Sequence, residues 1–176
     1  MELKLFPQVT DPNLLTQLEQ LLIQADQEFI PPLSSRSSTT QSALNAGAAN
    51  PEGIRDYFEA MAQQPMVLAL DGSRVAGFMA FRHDHVCEQI SAETLPNLYA
   101  STCVVHPNYR GQGLMRRFYE AMIAAFPHCG IYTRTWAGNV SHLRTLDKLG
   151  FRLICLLKNH RGPGVDTVYY GKEKTL

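Results

Sequence analysis

No stretch of this chain approaches the ~18 consecutive apolar residues of a membrane-spanning helix. Its opening, MELKLFPQVTDPN, has charged and polar residues where a secretory leader needs an unbroken apolar segment. Net charge is also lacking, since sixteen Lys and Arg balance sixteen Asp and Glu. The overall attraction that drives non-specific nucleic-acid binding is therefore missing. Cysteine is sparse, and Cys87, Cys103, Cys129 and Cys155 stand too far apart for the close pairs of zinc ribbons or thioredoxin-like sites. No internal period is visible. These absences lead us to expect a cytoplasmic globular protein with neither nucleic acid nor membrane as partner.

What is present suits one ordinary domain: 176 residues, 45% of them hydrophobic, enough to bury a single core. The zero charge hides an asymmetry. Residues 1–88 hold five basic and eleven acidic side chains, net −6, and residues 89–176 hold eleven and five, net +6. This reads either as unequal decoration of a solvated surface or as a division of labour, with an anion on one half and a cationic acceptor on the other. On the second reading Asp26 and Glu28 are candidates for attracting the acceptor.

Along the chain, ELKLF (2–6) alternates as a strand and Pro7 ends it. Asp11 offers an N-cap, Pro12 a first helical position, and Leu14, Leu15, Leu18, Leu21 and Leu22 an apolar face, predicting a helix to about Phe29. Residues 31–50, rich in small hydroxyl side chains, read as a flexible loop, either disordered or a substrate lid. Pro51 opens a helix through Ile54, Tyr57, Phe58 and Met61. The Asp71-Gly72 pair between MVLAL and RVAGFMAF signals a hairpin. YASTCVVHP is then a strand, LMRRFYEAMIAAF a helix with Leu114, Phe118, Met122 and Phe126 on one face, GIYTRTW a strand, SHLRTLDKL a helix, and FRLICLL and VDTVYYG two last strands. The order β-α-α-β-β-β-α-β-α-β-β describes one α/β domain, a mixed sheet with helices on both faces.

The most informative segment is VVHPNYRGQGLM, residues 104–115, in which a strand feeds a glycine-containing turn and then a helix. Glycine lets a ligand approach the backbone, and the first helical turn offers unpaired N–H groups at the positive end of the dipole. Arg110, Arg116 and Arg117 add positive charge that suits a pyrophosphate. The spacing GxxxxGK[ST] is absent, and GxGxxG fails because Arg116 stands where its third glycine belongs.

This segment resembles the signature V-x-P-x-x-[R/Q]-x-x-G-x-[G/A] of the GNAT N-acetyltransferases, through Val105, Pro107, Arg110 and Gly113, and departs from it at Met115. Asn139 and the Gly150-Phe151 pair, with Leu143 and Leu149 between, resemble the family's second signature. The resemblance implies a single GNAT-type domain over residues 1–176, with a mainly antiparallel sheet. It also implies acetyl-CoA as cosubstrate, a small-molecule amine or peptide N-terminus as acceptor, and direct attack of the amine on the thioester; a homodimer is compatible with it. The pyrophosphate would take amides from Gly111, Gln112, Gly113, Leu114, Met115 and Arg116, with Arg110 adding its charge to the cofactor site. The pantetheine arm would pair with Cys103, Val104 and Val105, and Asn139 would orient it.

The family's usual acid, a tyrosine on the later helix, is replaced by Leu146. Tyr109, Tyr132 and His142 are the alternative donors to the leaving thiolate, and His83, Glu88 and His106 the candidates for the base. His83, His85 and Cys87 alternate, but a polar loop explains the run and no metal is expected. Trp136 reads as a packed or site-lining aromatic. Leu146 and Met115 keep open a second reading, a non-catalytic acetyl-CoA-binding or regulatory module.

Overall fold

The computed structural model describes residues 1–44 and 52–174. Its elements are β1 (Glu2–Phe6), α1 (Pro12–Ala25), α2 (Gly53–Ala62), β2 (Met66–Asp71), β3 (Arg74–His83), β4 (Asn97–Val105), α3 (Leu114–Ala125), β5 (Gly130–Trp136), α4 (Val140–Lys148), β6 (Arg152–Leu157) and β7 (Thr167–Lys172). The strands form one sheet in the order β1-β2-β3-β4-β5-β7-β6. Every pairing is antiparallel except that of β4 with β5. α1 and α2 cover one face, with Leu18, Leu22 and Met61 against Leu68, Phe78 and Val104. α3 and α4 cover the other, with Phe118, Met122 and Leu146 against Val67, Met79 and Leu98. Among the described residues no helix is long and apolar enough to cross a membrane.

Local chemistry sets most element ends. Asp11 Oδ1 accepts the N–H groups of Asn13 and Leu14 at 2.8 and 3.2 Å, capping α1. The helix stops at Ala25, short of the expected Phe29, and Asp26–Glu28 tighten into a 3-10 turn. A contact eight residues away accounts for this, because the Asp26 carboxylate takes the N–H of Ser34 at 2.7 Å and its hydroxyl at 2.8 Å. Within the expected substrate loop, residues 31–44 carry the buried side chains of Leu33 and Leu44, so this part forms a wall. Residues 45–50, and Pro51 at the expected start of the second helix, lie outside the described residues.

The feature that makes a site is a fork. β4 stays paired with β3 as far as Gly77↔Val105, but with β5 only from Asn97↔Gly130 to Ala100↔Thr133. Thr133 Oγ1 donates to Ala100 O at 3.0 Å where the strands part. Beside it the β3 register skips Ser101, with Ala80 facing Thr102 and Phe81 facing Ala100. This is a β-bulge, which leaves one residue unpaired and bends the strand. Ser101 turns its hydroxyl to Gln64 Oε1 at 2.6 Å. Ala100 packs on the α3 side, whereas the hydroxyl of Thr102 meets Tyr57 Oη of α2 at 2.7 Å.

Gly77 lets β3 press against the outer half of β4. A Cβ there would sit 2.8 Å from Val104 O and 3.1 Å from Val105 Cα, both backbone atoms. Gly77→Ala should therefore cost about 1–3 kcal/mol as an overpacking change, seen as a lower urea midpoint at unchanged m. An unaltered midpoint would show that the two strands can separate freely.

Candidate active site

Beyond the fork the strands enclose a cleft of about 440 Å³. One wall is the free edge of β4, including Cys103, Val104 and Val105; the opposite wall carries Thr135, Asn139 and His142. At the mouth lie Arg110, Gly111, Gly113, Leu114, Met115 and Arg116. All the residues expected to hold a cofactor thus meet in one cleft except Gln112, which is exposed beside it with its side-chain amide 3.5 Å from Asn108 O.

The turn at the mouth suits an anion. Gly111 and Gly113 adopt φ of +74° and +72°, a left-handed conformation that strains any residue with a Cβ. Gly113 is the N-cap of α3 and brings no side-chain hydrogen bond, which leaves the first amides of the helix open to a ligand. Among the described residues, leaving aside each glycine and its two chain neighbours, no atom lies within 4 Å of where a Cβ would stand at either position, so the space is clear. Met115 borders this space while packing on the α3-side core. Arg110 is half-exposed and already engaged, its Nη2 reaching both Glu28 oxygens at 2.9 Å and its Nε Val105 O at 3.1 Å. Asn139 caps α4, its Oδ1 accepting from His142 N at 3.4 Å while its amide donates to Thr135 Oγ1 at 2.9 Å.

The acid and base candidates scatter. His142 lines the cleft, and burial pulls its pKa down to about 4, so its ring is neutral. Its Nε2 lies 2.9 Å from Tyr119 Oη, a hydroxyl that burial holds well above the usual tyrosine range. His142 Nδ1 has no hydrogen-bond partner among the described residues, yet none of their buried polar side-chain atoms lacks one. That nitrogen is consequently solvent-accessible, on a residue that lines the cleft. Leu146, at the position of the family's tyrosine, is fully buried in the core. Tyr109 borders the mouth with its hydroxyl donated to Asp71 Oδ2 at 2.9 Å. Tyr132 packs with Tyr99, Tyr169 and Ile90, away from the cleft. His83 stacks edgewise on Phe81 and Phe126 on the α3 side, while His85 lies against Tyr99. Glu88 is exposed beside a separate hollow, and His106 caps a 3-10 turn through Asn108 N. Trp136 lines the cleft. Burial pushes the Cys103 thiol up to about 12, so it stays protonated and is no nucleophile.

Sequence reasoning missed Tyr119 and three cleft-lining arginines, Arg36, Arg134 and Arg161. A charged residue inside the apolar strand GIYTRTW was the one available signal. Of the residues expected to attract a cation, Asp26 is spent on Ser34 and Glu28 on Arg110, and three guanidiniums line the same cleft as Glu28.

The chain is similar over its whole length to several solved structures. A ribosomal-protein-alanine N-acetyltransferase from Brucella melitensis is 17% identical, with a TM-score of 0.66 over 98% of this chain and 99% of that one. An aminoglycoside 6'-acetyltransferase type Ii is 18% identical at 0.67 over 98% and 97%. A putative acetyltransferase from Salmonella typhimurium, solved with its cofactor acetyl-CoA, is 14% identical at 0.66 over 100% and 96%. These likenesses show the fold. Among curated proteins no relative matches. The model of the acetyltransferase (GNAT) family matches residues 32–151, more than half of the chain and both signature segments, and the protein therefore belongs to the GNAT family of acetyltransferases.

Proposed function

We propose that the protein transfers an acetyl group from acetyl-CoA to an amine by direct attack of the amine on the thioester. The observation that carries this reading is the forked strand pair with an uncapped, glycine-built helix start at its mouth. Acetyl-CoA, when bound, supplies an activated acetyl group. Amides from Gly111 to Arg116 would hold its pyrophosphate and the free edge of β4 its pantetheine arm, with Asn139 orienting the arm at the opposite wall. The Salmonella neighbour, solved with acetyl-CoA, supports the assignment.

At the fork, a backbone N–H near Val104 donates to the developing oxyanion, and His142 Nδ1–H donates to the departing sulfur. Tyr119 orients that imidazole by donating its O–H hydrogen bond to Nε2. Among the described residues Glu28 is the one carboxylate lining the cleft, and it is ion-paired. The neighbouring guanidinium charges lower the pKa of an incoming ammonium instead, and its proton leaves to water. Cys103, held as a thiol, offers no acyl-enzyme route.

Free-thiol release from acetyl-CoA across a panel of primary amines tests the reading. Release should depend on the amine, and Gly113→Val should raise the KM for acetyl-CoA by ~10-fold or more. The left-handed strain of about 1–2 kcal/mol falls on folding stability, and the rise in KM comes from a side chain in the phosphate space. Tight CoA binding by calorimetry with no release from any amine would overturn it in favour of a non-catalytic binding module.

A further inference from the structure

Arg36, Arg134 and Arg161 line the cleft from three separate segments, and Arg36 and Arg161 are almost fully buried. Among the described residues none of them has a carboxylate partner. Arg36 gives Nε and Nη2 to Pro31 O at 3.1 and 2.8 Å and lies over the Phe29 ring at 5.6 Å. Arg134 donates to Gln41 O at 2.6 Å and Tyr169 Oη at 3.3 Å. Arg161 donates to Ile30 O at 2.7 Å and Thr167 Oγ1 at 2.9 Å. Such acceptors satisfy hydrogen bonds and leave three positive charges uncompensated. The charge of Asp26 acts on Arg36, but less than burial or the neighbouring Tyr57, Arg134 and Tyr99, and Asp26 is held by Ser34.

Buried charge without a counter-charge is costly, and the cost is visible at Arg36 and Arg161, whose pKa values burial lowers, whereas neighbouring tyrosines raise that of Arg134. Burial draws Arg161 down to about 9, with the charges of Arg36 and Arg134 adding to the effect. The guanidinium stays charged all the same, so the depression measures how poorly its charge is accommodated. Each arginine also keeps a nitrogen without a partner among the described residues: Arg36 Nη1, Arg134 Nε and Arg161 Nη2. Because none of their buried polar side-chain atoms is unsatisfied, these nitrogens are solvent-accessible, on side chains that line the cleft; Arg134 also borders the separate hollow beside Glu88. The cluster is also distinct from the phosphate cradle. Arg134 sits next to Thr133 at the base of the fork, whereas the glycine turn lies beyond the far end of β4, roughly 15 Å away at the rise of a strand.

We infer that Arg36, Arg134 and Arg161 form an oxyanion-binding subsite at the acceptor end of the cleft, and that the acceptor is an amine that also carries a carboxylate or phosphonate group. This rests on the acetyltransferase reading above. The anion anchors the acceptor on the guanidiniums and leaves the amine facing the fork, where the same positive field favours its neutral form.

The test is thiol release from acetyl-CoA with matched acceptors: amino acids, the corresponding amides, the decarboxylated amines, and aminoalkylphosphonates of similar length. Amino acids or aminoalkylphosphonates should exceed the matched neutral or cationic amines by ~100-fold or more in kcat/KM, and whichever class leads identifies the oxyanion. Arg134→Gln should cut that preference ratio by ~10- to 100-fold through KM, the loss expected for one charge-assisted contact. Should Arg161→Gln or Arg36→Gln fail to fold, a thermal shift of the parent by N-formyl amino acids, absent with their amides, reads the same subsite without a variant. Faster turnover of neutral or cationic amines would overturn the proposal and leave the acetyltransferase reading intact. No release from any acceptor, with CoA still bound, would take down both.

Discussion

A His142→Leu protein should bind acetyl-CoA as the parent does and turn over ~10- to 100-fold more slowly. The leaving thiolate is weakly basic, since an ordinary thiol has a pKa of about 8.5, so it needs stabilisation more than a full proton. Complete transfer is disfavoured on this side of the cleft. It would end on a tyrosinate at Tyr119, whose pKa burial raises, and His142, with a pKa of about 4, is not protonated beforehand. A hydrogen bond from Nδ1–H to the sulfur escapes both costs. Hydrogen bonds to charged groups are worth about 1.5–3 kcal/mol, which sets the expected range. The loss should fall on kcat, and His142→Gln, which restores an N–H donor, should recover part of it. Unchanged kcat in the leucine variant would remove His142 from the reaction.

The same residue should make the fold acid-sensitive above the range in which carboxylates titrate. In the unfolded chain His142 takes a proton near its ordinary pKa of 6.5, and in the folded chain only near 4. Between those values the unfolded state binds the extra proton, so stability falls as pH falls. The contribution is intact above 6.5 and is lost by about 4, reaching ~3 kcal/mol across the window at about 1.4 kcal/mol per pKa unit. Urea midpoints measured from pH 7 to 4 should drop steeply for the parent and less for His142→Leu, the difference isolating this side chain from the more exposed histidines. Parallel curves would mean that the imidazole is not held neutral by burial.

Features written in neighbouring residues were legible in the sequence. The Asp11 cap, the Asp71-Gly72 hairpin and the glycine turn after β4 are each fixed by a few consecutive side chains, and the family resemblance rested on two such segments. The helix expected to reach Phe29 stops early because Asp26 answers to Ser34, a partner that periodicity does not reveal. Tyr119 sits one residue from Phe118 on a helix whose apolar face was drawn through Leu114, Phe118 and Met122, and its hydroxyl gained meaning only when α4 brought His142 to it. Counting charge by halves did not locate the arginines of the cleft, for a spatial reason. Arg134 and Arg161 belong to the basic half of the chain but line the end of the cleft where Arg36, from the acidic half, also sits.

The unpaired Ser101 makes the outer segment of β4 a matter of odd and even. With that residue in place Thr102 looks toward Tyr57 and Val104 joins the α1 side, while Cys103 and Val105 belong to the α3 side. Losing or gaining a single residue at this point would exchange the two sets, sending a hydroxyl into the α3 core and a thiol toward the acceptor. The strand can therefore drift in length over evolution only by changes that preserve its parity, and the fork inherits that constraint even though Ser101 makes no contact that looks irreplaceable by itself.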